Sequence, residues 1–160
     1  MALIVQKFGG SSVADAERVF NVAKIVTDTY KKGNDVVVVV SAQGDTTDDL
    51  IAKQMEINPE ANKRERDMLL ASGEQISISL LAMACEKLGV PAISLLGWQA
   101  GFQTTSAHTS ARIKNVDGQR IRQELDQHKV VVVAGFLGLG RQEELTTRGG
   151  GGSAASAVAI

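Results

Sequence analysis

The order of apolar runs in this 160-residue chain predicts an α/β fold built on a mainly parallel sheet. Two observations carry that expectation. Residues 35–42, DVVVVVSA, are a continuous apolar run dominated by β-branched residues, the pattern of a central strand covered on both faces, and residues 129–136, KVVVVAGF, read as a further strand. Around them, shorter strand-like runs alternate with segments of helical period, an order from which crossover connections place helices on both faces of the sheet.

The elements follow in order. Residues 2–8, ALIVQKF, read as a short first strand, and GGSSVAD follows as a loop. AERVFNVAKIVTDTYKKG reads as a helix: Val19, Val22, Ala23, Val26 and Tyr30 share a face, Asp15 caps the start and Gly33 ends it. After the 35–42 strand, TTDDLIAKQMEI reads as a helix capped by Thr46 or Thr47, with two carboxylates in its first turn to suit the helix dipole. NKRERDMLLA and GEQISISLLAMACEKLG read as two further helices. Residues 91–97, PAISLLG, form the next strand. WQAGFQTTSAHTS is expected as a loop and DGQRIRQELDQHK as a helix before the 129–136 strand. The whole is one domain, 1–160, without internal repeat or linker.

Composition narrows the function. A net charge of −1 without a long basic run disfavours nucleic acid and anionic membrane as partners. Lys63, Arg64 and Arg66, interrupted by Glu65, read as a solvated helix face. No apolar stretch is expected to span a bilayer and no signal peptide is evident. The single cysteine, Cys85, sits in an apolar run and reads as packing, which suits a cytoplasmic protein. His108 and His128 have no partners at ligand spacing, so no metal site is expected from protein ligands.

In parallel sheets ligands bind beyond the carboxyl ends of the strands, and the unusual loops fall there. In KFGGSS, Lys7 ends the strand, Gly9 and Gly10 let the backbone approach an anion, and Ser11 and Ser12 offer hydroxyls. The same glycines also suit a plain tight turn, and the loop matches neither standard nucleotide fingerprint. SAQGDTTDDL offers Ser41, Thr46 and Thr47 ahead of a helix N-terminus; it reads either as an anion site or as an ordinary helix start. Glu74, in LLASGEQIS, reads either as a capping partner of Ser72 or as a carboxylate aimed at a substrate ammonium. The terminal TTRGGGGSAASAVAI carries four glycines before a helical pattern, with Arg148 its only cation.

Seven segments in order, QKFGGSSV, VVVVSAQGDTTDDL, SGEQIS, GWQAGFQT, HTSARI, VVVAGFLG and TTRGGGGSAASAVAI, resemble the aspartokinase family along the length of the chain. The resemblance implies an amino-acid-kinase-like three-layer sandwich. It implies transfer of the ATP γ-phosphoryl to the side-chain carboxylate of L-aspartate, with Mg²⁺ bridging phosphates. Lys7, as the catalytic cation, would hold the ATP phosphates with Phe8, Gly9, Gly10 and Ser11. Ser41, Thr46 and Thr47 would line the aspartate cleft, Glu74 would receive the ammonium of aspartate, and Ser153 would sit beside the substrate carboxylate. The family's last motif, TTLGRGGSD[TS][TS]AVAL, places its arginine on Gly150 and its aspartate on Ala154, so the glycine loop reads as damaged or redirected. Gln43 stands where the family has methionine.

The pattern also stops at Ile160 within an apolar helix. The resemblance therefore implies an apparently truncated sandwich: the N-terminal, amino-acid-binding portion of a catalytic domain, without the nucleotide-binding remainder or regulatory domains. Such a chain is expected to be weak or inactive alone. Its last strand is expected to leave a sheet edge open, which favours a homo-oligomer. Alternatives are a non-catalytic binding or assembly module of the same family and a kinase for another amino acid.

Overall fold

The computed structural model describes residues 2–104, 113–135, 137–139 and 145–147. Four strands form the central sheet: β1 (Leu3–Phe8), β2 (Asp35–Val40), β3 (Ala92–Leu95) and β6 (Val130–Ala134). They are ordered β1-β2-β6-β3 and every pairing is parallel, with Val5 opposite Val37, Val38 opposite Val132 and Ile93 opposite Val131. The expected parallel sheet is therefore present.

The two valine runs earn their central places by side-chain alternation. Val36, Val38, Val40, Val130 and Val132 face a core completed by α1 (Ala16–Lys31) and α3 (Lys63–Lys87), through Val19, Val22, Val26, Leu81 and Cys85. Val37, Val131 and Val133 face the opposite core, closed by Ile121 and Leu125 of α4 (Gln119–Asp126). A sheet with helices on both faces makes three layers. Asp15 caps α1, its Oδ1 accepting from the Arg18 N–H at 2.9 Å, and Gly33 follows the helix at φ +93°. Cys85 is buried, and burial pushes its thiol up to about 11.

Several sequence expectations are corrected. Residues 63–87 form one helix, not two: α3 runs unbroken through Ser72, Gly73 and Glu74, so Ser72 caps nothing and its hydroxyl donates to the Leu69 carbonyl at 2.7 Å. Gly73 is there for contact: a Cβ on it would stand 3.2 Å from Ala42 Cβ and from Thr46 Cγ2. The joined helix is long and apolar enough to cross a membrane, against the expectation that none would be. In this fold, however, it buries Asp67, Glu74 and an apolar face against the sheet, as a core helix does. α2 (Thr46–Ile57) is capped from position 45: Asp45 is the N-cap, without a side-chain bond, and Thr46 and Thr47 lie inside the first turn.

The segment expected as a loop after β3 contains a strand, β4 (Phe102–Thr104). It joins β5 (Ile113–Val116), β7 (Leu137–Leu139) and β8 (Leu145–Thr147) in a second sheet ordered β5-β4-β7-β8, none of which was expected. β6 lies between β2 and β3, not at the margin, so the open edge expected beside it is absent from the described sheet.

Candidate functional site

All four central strands end on the same side, so the loops after β1 and β2 meet there. Gly9 leads into a single 3-10 turn, Gly10–Val13. Gly10 has no room for a side chain: an added Cβ would stand 2.6 Å from the Ala42 carbonyl oxygen. That approach lets the Gly44 N–H donate to the Gly10 carbonyl at 2.8 Å. Lys7 is exposed at the end of β1, and its Nζ lies 4.0 Å from where a Gly9 Cβ would be, so the ammonium overhangs the glycine loop. Phe8 packs against the core, and Ser11 is exposed on the 3-10 turn.

The second loop carries Ser41, half-buried, then Ala42, Gln43 and Gly44. Thr46 and Thr47, also half-buried, occupy the first turn of α2, where backbone N–H groups lack intrahelical acceptors. The Thr46 N–H is taken by the Gln43 carbonyl at 2.8 Å.

Against this loop lies Glu74. The carboxyl is 2% exposed, and burial pushes its pKa from 4.5 up to about 8; a hydrogen bond from the Ala42 backbone N–H acts the other way. Its Oε2 is buried and has no hydrogen-bond partner among the described residues. One turn along the same helix, the Ser77 hydroxyl oxygen is equally buried and has no hydrogen-bond partner among the described residues. A buried carboxyl oxygen without a donor is costly, and it is the condition of a group whose partner is a ligand.

The structure thus brings together Lys7, Gly9, Gly10 and Ser11 on one side and Ser41, Thr46, Thr47 and Glu74 on the other, around Ala42–Gly44. Ser153, Arg148, Gly150 and Ala154 lie outside the described residues. Sequence reasoning missed Ser77 and the Ala42 N–H. The first is signalled only by its i+3 spacing from Glu74, and the second, a backbone group, leaves no trace in sequence. Among the described residues no three His, Cys, Asp or Glu side chains are grouped to hold a metal ion.

A parallel three-layer fold with a glycine loop and a buried carboxyl at one sheet end defines an α/β ligand-binding domain. The amino acid kinase family model matches residues 2–160, and the chain belongs to that family. The chain is 53% identical over 160 residues to an aspartokinase of Geobacillus stearothermophilus and 52% identical over 161 residues to one of Corynebacterium glutamicum. Each match covers the whole of this chain, which spans 39% and 38% of the respective relatives. Among solved structures, aspartate kinase from Synechocystis superposes with a TM-score of 0.81 at 45% identity, over 98% of this chain and 26% of that one. Escherichia coli aspartokinase III, solved in complex with aspartate and ADP, shares the fold with a TM-score of 0.83 at 21% identity, over 99% of this chain and 46% of that one.

Proposed function

We propose that this chain is the amino-acid-binding portion of an aspartate kinase, which transfers the ATP γ-phosphoryl to the side-chain carboxylate of L-aspartate and yields aspartyl 4-phosphate. The observation that carries the reading is Glu74: a buried carboxyl with one oxygen unpartnered among the described residues, set beside the Ala42–Gly44 loop against which Gly10 packs. The names of relatives at 52–53% identity support the choice of aspartate.

The residues fit the groups this reaction needs. Lys7 and the N–H groups of Gly9, Gly10 and Ser11 suit phosphate oxygens, since the ammonium lies 4.0 Å from where a Gly9 Cβ would be, over the glycine backbone. ATP supplies the phosphoryl group, and Mg²⁺ would neutralise its charge. The chain's own part is positioning. Glu74, once ionised, pairs with the ammonium of aspartate. The first turn of α2, with Thr46, Thr47 and nearby Ser41, offers donors to a carboxylate. Lys7 compensates negative charge between the two. Ser153 is assigned the neighbourhood of the substrate carboxylate by the family motif. A cytoplasmic setting supplies ATP and keeps Cys85 reduced.

Calorimetric titration of the folded chain with L-aspartate, with and without Mg-ATP, tests the reading. Saturable aspartate binding is expected, and Glu74→Ala is expected to weaken it on the order of 100-fold, as loss of one partner of a buried charge pair does. A folded chain that gives no heat with either ligand, or a Glu74→Ala variant that binds as the parent does, overturns it.

A further inference from the structure

The 3-10 turn after Gly9 is a weak element. It spans four residues, its N-cap makes no side-chain bond, and the Ser12 N–H to Gly9 carbonyl bond at 3.1 Å closes it. Its position therefore depends on ties to its surroundings. Three are present. The Gly44 N–H donates to the Gly10 carbonyl at its start. Arg18 Nη1 donates to the Ser11 carbonyl at 2.9 Å, but from an exposed side chain where water competes. Gln43 Nε2 donates to the Val13 carbonyl at 2.8 Å, partly buried, at the end of the turn beside the fully buried Val13 side chain.

Gln43 and Gly44 thus grip the turn at both ends from adjacent positions of one loop. Their neighbour Ala42 donates its N–H to Glu74. We infer that Gln43 is a positioning residue: its side-chain amide fixes the Lys7–Ser11 loop relative to the segment that supports Glu74, keeping the phosphate side of the site in register with the amine side. This inference rests on the kinase reading above. It assigns Gln43 no contact with substrate; the side chain acts through the Val13 carbonyl. Loss of the amide donor frees the end of the turn, so the effect falls on phosphate binding, whereas Glu74 keeps its burial and its Ala42 bond.

Three variants test this. Gln43→Met removes the donor at similar size, Gln43→Leu does so without charge, and Gln43→His can return a ring N–H to the same place. Amide hydrogen exchange at Gly44 and Ser12 is read by NMR, and the affinities for ADP and L-aspartate are read by calorimetry. Gln43→Met is expected to speed exchange at both amides and to weaken ADP roughly three- to tenfold, the scale of one lost hydrogen bond, with aspartate affinity changed less than about twofold. Gln43→His is expected to recover most of both losses. If Gln43→Met fails to fold, Gln43→Leu supplies the same comparison.

Unchanged exchange overturns the inference. So does faster exchange with both affinities falling together, which would mark Gln43 as a stability residue only. A parent chain that binds neither ligand overturns the kinase reading instead, and the exchange rates still decide whether the clamp exists.

Discussion

Glu74 and Glu124 both lie beneath the surface, on helices packed against opposite faces of the central sheet, and they are satisfied in opposite ways. Glu124 on α4 is 7% exposed and accepts from Lys129 Nζ at 2.9 Å and from Arg120 Nε at 3.1 Å. The Lys129 hydrogen bond, with Arg120 adding to it, holds its carboxyl below the usual range despite burial. Glu74 on α3 is 2% exposed, has the Ala42 N–H, and has no cation partner among the described residues; burial dominates and its pKa rises to about 8. Both are glutamates on helices over the same sheet, so the difference lies in what stands opposite. A carboxylate that the fold itself neutralises is structural. Glu74 keeps one oxygen without a partner among the described residues, beside the Ala42–Gly44 loop, and the function proposed above gives that oxygen to an ammonium.

The sharpest way to break this contrast is pH, because the two carboxyls act in opposite directions. Between pH 4.5 and about 8 the folded chain keeps the Glu74 proton that the unfolded chain releases. Glu74 therefore makes stability fall as pH rises through that window and level off above it, with a slope of at most about 1.4 kcal/mol per pH unit. Glu74→Gln, which keeps shape without ionising, is expected to remove that fall. Urea unfolding at pH 5, 6, 7 and 8 checks it. The difference between variant and parent is the quantity to read, because every other titrating group is common to both. Parallel curves would mean that Glu74 is neutralised in the fold as Glu124 is.

The second test takes away the satisfied carboxylate. Glu124→Gln is expected to lower stability at pH 7 by roughly 1 kcal/mol, because the acid lies just under the surface and both cations can turn to water. The sign with pH is reversed. The depressed pKa gives stability that is present above the ordinary carboxylate range and lost as pH falls through the folded value. Parent and variant should therefore converge in acid, as thermal melts between pH 3 and 7 would show. A loss that persists at pH 3 would point to packing of α4 and not to charge.

How much of this was legible beforehand differs between the two residues and between the two sheets. The valine runs announced strands because four or five adjacent β-branched residues suit a strand, and the five at 36–40 a strand buried on both faces. Glu74 was singled out, but its setting was misread. Gly73 resembles a helix break in sequence, whereas in the fold it is the point where α3 touches Ala42 and Thr46. Helix continuity there depends on a tertiary contact that no local pattern contains. Asp45, not Thr46 or Thr47, takes the cap position for a similar reason: the backbone entering α2 is set by the Gly10–Gly44 contact. The strands β4, β5, β7 and β8 went unseen because three or four residues of mixed polarity carry no period, and their pairing joins segments far apart in the chain. Lys7, Gly9 and Gly10 were readable as a candidate loop because glycine pairs and a strand-ending lysine are local features. The tie from Gln43 to Val13, thirty positions away, was not.

The smallest test resolves the Glu124 group itself. Lys129 and Arg120 share one carboxylate, but they are not equal partners. Lys129 Nζ is closer, at 2.9 Å against 3.1 Å, and its side chain is 32% exposed against 45% for Arg120. Lys129 also follows the turn after α4, where its backbone N–H donates to the Glu124 carbonyl at 3.2 Å, whereas Arg120 is an i,i+4 neighbour on the helix surface. Arg120→Ala is therefore expected to cost only a few tenths of a kcal/mol, the scale of a surface helix pair, and that cost should vanish in 1 M salt. Lys129→Ala is expected to cost more and to keep part of its effect in salt, because the less exposed ion is less screened. Equal and fully salt-sensitive losses would show that Glu124 is satisfied mainly by water. The contrast with Glu74 would then narrow to a difference of burial alone.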